Sequence, residues 1–125
     1  MIKANELRVG NWILENEESH IAIQTTSHNI ELAEKGTVHF SVPISDFGLL
    51  RLGYIFNRQK EQYEYTAYGF ASNFPVWNYK DEWHIAPMGD GTGYITLVSV
   101  HQLQNIIFSL SGIEITTNRL LTQDA

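Results

Sequence analysis

Asp81-Glu82-Trp83-His84 is the first stretch whose residue types could do chemistry. If a strand begins there, the carboxylate and the histidine two residues on share one face. Such a pair could hold a metal or act as an acid and base. The same stretch also reads as the solvated end of a hairpin, where charged groups normally sit. The other histidines, at 20, 28, 39 and 101, show no ligand spacing such as HxH or HExxH. Met88-Gly89-Asp90-Gly91-Thr92-Gly93 is rich in glycine but lacks the lysine and hydroxyl of a phosphate loop. It lies between two expected strands, so no helix start faces an anion, and it reads as a hairpin turn. Glu15, Glu17 and Glu18 cluster in a polar turn. A divalent cation would need more oxygen ligands at set spacing, which leaves a solvated loop or an acidic patch for a basic partner surface. There is no cysteine, so thiol catalysis, disulfides and cysteine-bound metals are excluded. No Ser–His–Asp order or nucleophile elbow is present. The residues point to no catalytic group, no metal and no cofactor.

The most unusual feature is aromatic. Tyr63, Tyr65, Tyr68, Phe70, Phe74, Trp77, Tyr79 and Trp83 fall within one short segment. On strands these rings must divide between two faces, and only one face can be core. Tyr68, Trp77, Tyr79 and Trp83 are therefore candidates for a partner-binding surface, since tyrosine and tryptophan are favoured at binding hot spots. Core packing of a small protein is the alternative. Stacking on single-stranded bases is a further option, but it comes with a basic groove. Lys80 is the only base in that segment, against Glu64, Asp81 and Glu82. Phe108, on the last expected helix, either broadens the buried face or serves as an exposed anchor.

The elements that must position these residues read as an α+β chain. Residues 1–43 suggest four short strands, at Trp12-Ile13-Leu14, Ile21 to Thr25, Asn29-Ile30-Glu31-Leu32 and Val38 to Val42, in a small SH3-like or bent sheet. After Pro43 a short helix is expected, with Ser45 as N-cap, an Ile44–Leu49 staple and Gly53 as stop. An antiparallel β-meander follows over residues 54–98, with strands at Tyr54-Ile55-Phe56, Tyr63 to Ala67, Val76 to Tyr79, Trp83 to Ala86 and Tyr94 to Val98. Val100, Leu103, Ile107 and Leu110 recur at helical spacing and predict an amphipathic helix from Val100 to Ser111. Ser99 and Gln102 match a capping box, Val98 and Leu103 a staple, and Gly112 a stop. His101, Gln104, Asn105 and Phe108 share the face away from the apolar stripe. Ile113 to Thr116 could add a strand, and residues 117–125 read as a loose tail. One domain is expected, with residues 1–43 as a small β part and 44–116 as helix, meander and helix.

Charge narrows the partner. The formal net charge is −6, which argues against non-specific nucleic-acid binding. Residues 1–43 carry three bases and six acids, and residues 44–125 five bases and eight acids, so the acidity is spread and not a tail. No signal peptide is visible, and no apolar run approaches the roughly 20 residues that span a bilayer. A cytoplasmic protein with no membrane partner is the expectation.

Lys3 to Trp12, KANELRVGNW, and His101 to Gly112, HQLQNIIFSLSG, carry a resemblance. They resemble the two ends of a family of small proteins from phages, prophages and mobile elements of Bacteroidota. Val42 to Phe56, VPISDFGLLRLGYIF, is similar to a degenerate form of that family's central segment. The resemblance implies a protein acting in a host cell by binding a host macromolecule. Its most specific implication is inhibition of a type VI-B, RNA-targeting CRISPR nuclease or its RNA complex. A single-stranded nucleic-acid module and a phage structural or accessory protein are the alternatives.

Overall fold

The computed structural model describes residues 2, 6–14, 22–36, 39–65, 73–89 and 93–115. Glu15, Glu17, Glu18 and Tyr68 lie outside them, as do residues 117–125. The described chain has an α+β fold. In order it forms β1 (Trp12–Leu14), β2 (Ile23–Gln24), α1 (Ser27–Glu34), β3 (Phe40–Ser41), α2 (Asp46–Arg51) and β4 (Ile55–Asn57). It continues with β5 (Gln62–Glu64), β6 (Val76–Tyr79), β7 (Glu82–Ile85), β8 (Ile95–Leu97) and α3 (Val100–Ser111).

The first sheet has the order β2-β1-β3, with both neighbours antiparallel to β1. Where a third strand was expected, Asn29-Ile30-Glu31-Leu32 instead lies in α1. The cause is local. The Thr26 hydroxyl accepts from the Asn29 amide at 3.3 Å, and Asn29 Oδ1 accepts from the Thr26 amide at 2.9 Å. This reciprocal cap satisfies donors that the first turn leaves free. Lys35 and Glu31 add an i,i+4 pair at 2.9 Å, worth a few tenths of a kcal/mol, about 0.3, on an exposed helix face.

The second sheet is an antiparallel meander in sequence order, β4-β5-β6-β7-β8. The β6–β7 hairpin turns through Lys80 and Asp81, both at positive φ, the backbone that a tight two-residue hairpin requires. Helix α2 begins at Ser45, whose hydroxyl accepts from the Gly48 amide at 3.0 Å. Ile44 and Leu49 are both in the core, as the staple geometry demands. Gly53, at φ 103°, closes that turn, and a Cβ there would meet the Tyr65 ring at 3.3 Å.

Helix α3 runs from Val100 to Ser111 with Gly112 in the left-handed conformation, as its periodicity predicts. The start differs in detail. Ser99 Oγ accepts from the Gln102 amide, but Gln102 Oε1 accepts from Val98 N and not from Ser99. Val98 is exposed, so the expected staple with Leu103 does not form. Ile113 to Ile115 is not strand.

One hydrophobic cluster joins both parts of the chain. It contains Trp12, Leu14 and Val42 with Leu49, Tyr54, Phe74, Val76, Ile85, Leu97, Leu103 and Ile107. The seam is also hydrogen-bonded, because Val100 N donates to Val42 O at 2.8 Å.

On the face of α3 away from the apolar stripe, the structure buries two polar residues. Gln104 is fully buried and His101 nearly so. Gln104 Oε1 accepts from Trp12 N at 2.8 Å. Its Nε2 donates to Gly10 O at 3.2 Å and Ile115 O at 3.1 Å. Asn105 Oδ1 accepts from Asn11 Nδ2 at 2.9 Å and Arg8 Nε at 3.0 Å. The Arg8 guanidinium also pairs with Glu114 and lies over the Phe108 ring at 4.1 Å. Burying amides on a helix is costly only when they lack partners. Here residues 8–12 supply partners, and Ile115 and Glu114 close the other side.

Candidate functional site

Register decides which aromatics meet. Phe56, Tyr63, Val76, Ile85 and Ile95 stand opposite one another across the meander. Directly paired residues share a face, and so do residues two apart. Trp83, Asn78 and Leu97 therefore lie on that same face. Val76, Ile85 and Leu97 fill the core. Toward β4 the same face carries a chain of tilted rings, Phe56 to Tyr63 at 4.9 Å and Tyr63 to Trp83 at 6.0 Å.

These rings wall an open cleft of about 550 Å³, which Asp46, Arg58, Glu61, Trp77 and Asn78 complete. Tyr63 Oη donates to Asp46 Oδ1 at 2.7 Å. Its pKa is pushed up to about 12, first by partial burial and then by the bond to Asp46 and that carboxylate's charge. The phenol is therefore held as a donor to Asp46. The cleft combines apolar faces with carboxylate acceptors, which suits a side chain with an apolar stem and a cationic or donor tip.

The opposite face carries Trp77, Tyr79, His84 and Thr96. Trp77, His84 and Tyr94 form a second cluster, with ring centroids 5.1 to 5.8 Å apart. His84 is buried between these rings, and its Nδ1 has no hydrogen-bond partner. Glu82 shares its face, but among the described residues no three acidic or histidine side chains converge as a metal site. Tyr79 is exposed, with the Lys80 ammonium 5.3 Å from its ring centre.

The structure thus places Trp77 and Tyr79 on one face of the meander and Trp83 on the other. Trp77 and Trp83 both contribute to the cleft. Phe108 is apart from them, on α3 beneath Arg8. Phe56, Tyr94, Asp46 and Arg58 were not singled out from the sequence. Period-two parity marks the face of each ring within its own strand. Only the pairing of β4 with β5, and of β5 with β7 through β6, shows which rings become neighbours.

Fold and site together define an α+β protein with an aromatic, carboxylate-rimmed cleft on an antiparallel meander. No protein-family model, curated protein or solved structure matches the chain. Among the described residues no helix is long and apolar enough to cross a membrane.

Proposed function

We propose that this is a non-enzymatic binding protein of a phage or mobile element, and that it docks on a host protein through the meander cleft. The observation that carries this reading is the cleft itself. Phe56, Tyr63 and Trp83 gather with Asp46 and Glu61 at an open surface. Aromatic anchors of this kind supply affinity, and carboxylates steer toward a basic partner. The net charge of −6 acts in the same direction over longer range. The two carboxylates outnumber Arg58, the one cation lining the cleft among the described residues, and so weigh against backbone phosphates as the occupant.

The specific form of the proposal is inhibition of a type VI-B, RNA-targeting CRISPR nuclease by covering part of its basic RNA-binding surface. A tagged nuclease, with and without guide RNA, should capture the protein, and added protein should slow RNA cleavage. Trp83→Ala should weaken the complex by about tenfold or more, as hot-spot truncations do, and Trp77→Ala, whose ring packs on the opposite face, should weaken it less. Absence of capture together with undiminished cleavage would remove the nuclease as partner. Unchanged affinity in folded tryptophan variants would place the contact elsewhere on the molecule.

A further inference from the structure

We propose that the edge of β8 along Ile95–Leu97, up to the point where Pro43 bridges Ser99, takes up an extended segment of a partner protein by strand addition, together with the groove beside α3. This surface is independent of the cleft, because β8 is at the opposite edge of the meander from β4. An edge strand presents unpaired backbone donors and acceptors. Here Thr96 O accepts from Gln102 Nε2 at 3.2 Å, and Val98 N donates to Gln102 Oε1 at 2.8 Å. One side-chain amide therefore fills positions that a neighbouring strand would bond. Gln102 sits in the first turn of α3, and a rotation of its side chain clears the edge.

The groove next to this edge measures about 710 Å³. Ile95, Val98, Ile106 and Leu110 form its apolar wall, and Val98 is 68% exposed. Alternate side chains of an added strand would pack there while its backbone replaced the Gln102 amide. Glu6 is the only carboxylate or cation on the groove among the described residues, apart from the imidazole of His101. The occupant is therefore an extended, alternately apolar segment carrying a lysine or arginine opposite Glu6. A second copy of this chain would carry the same net charge of −6 to the groove, which disfavours self-pairing.

The test uses the full chain, isotope-labelled for amide NMR. The probe is a blocked peptide of alternating valine and threonine with lysine at both ends. Two further peptides carry N-methyl groups on one or the other set of alternate residues, and a fourth has glutamate for lysine. Binding should move the amide signals of Thr96, Val98 and Gln102. One N-methylated peptide should lose about tenfold or more in affinity while the other retains it, because only one edge of a strand bonds. The glutamate peptide should bind several-fold more weakly, and Gln102→Ala should bind the lysine peptide several-fold more tightly. No binding to either protein up to roughly 1 mM peptide, a very weak limit, would overturn the proposal. So would equal binding of both N-methylated peptides, or dimers of Gln102→Ala that exclude the peptide.

Discussion

The two flanks of α3 are inverted with respect to their chemistry. The flank bearing Gln104, Asn105 and His101 is polar, yet Gln104 and His101 are buried. The flank bearing Ile106 and Leu110 is apolar, yet it borders an open groove, which His101 and Asn105 reach only at its rim. The difference is one of partners. Residues 8–12 offer the polar flank a matched set of backbone and side-chain groups. The apolar flank instead lines the groove beside Ile95 and Val98 at the end strand of the meander. A buried amide with full partners holds a unique docking of the helix, because any shift would leave several groups unpaired. An apolar wall carries no such demand and is free for another surface.

The sharpest way to break this comparison is to truncate one residue on each flank. Gln104→Ala leaves Trp12 N, Gly10 O and Ile115 O without their partner. Each unpaired buried group costs about 1–3 kcal/mol, and some will rehydrate, so a loss of about 3 kcal/mol is expected. Leu110→Gln removes an apolar group that is already 37% exposed and should cost less than about 1 kcal/mol. Urea denaturation of both variants measures the difference. Equal losses would show that the polar flank is no stronger a clamp than the open one.

A smaller effect tests whether Arg8 belongs to that clamp or only covers it. Its guanidinium reaches Glu114, Asn105 Oδ1 and the carbonyl of Gln104, and it stacks on Phe108. The Arg8 and Glu114 side chains are 29% and 32% exposed, so solvent screens the pair in part. Arg8→Ala should cost about 1–2 kcal/mol, mostly through charge-assisted bonds. In a double-mutant cycle with Phe108→Ala, the stacking should appear as a coupling of about 0.5–1 kcal/mol. A coupling near zero would mean that Phe108 is merely covered.

The same contrast explains what could be read from the residues. Helix α3 was legible because one apolar stripe at helical spacing lies between Ser99 and Gly112. Strand β6 was legible as a run of apolar and aromatic residues before a turn. Helix α1 was not, because Ile30 and Leu32 mimic a period-two strand. The Thr26–Asn29 cap that decides otherwise is an asparagine variant of the usual glutamate box. The burial of Gln104 had no local signal at all. Amides read as surface until the segment that satisfies them, here residues 10–12, is brought more than ninety positions along the chain. The cleft was half legible for a related reason. Trp77 and Trp83 stood out by type, but their neighbours depend on strand pairing.

The smallest expected effect follows pH and isolates His101 within the polar flank. Burial lowers its pKa below the ordinary 6.5, and the Glu6 carboxylate, 3.9 Å away, raises it part of the way back. Its Nδ1 has no hydrogen-bond partner, so nothing further supports the charged form. In the unfolded chain the imidazole protonates near 6.5, whereas in the folded chain it does so only at lower pH. Between those values the unfolded state binds more protons, so stability falls with acidification. The contribution is fully present above about pH 6.5 and is lost as pH drops through the folded value. Denaturation midpoints measured from about pH 7.5 downward should therefore decline more in the wild type than in His101→Gln. Glu6→Gln should deepen the decline, because it removes the one charge that favours the imidazolium. If the wild type and His101→Gln fall in parallel, the imidazole is already as easily protonated in the fold as outside it. The polar flank would then be open to water at His101 and closed only at Gln104.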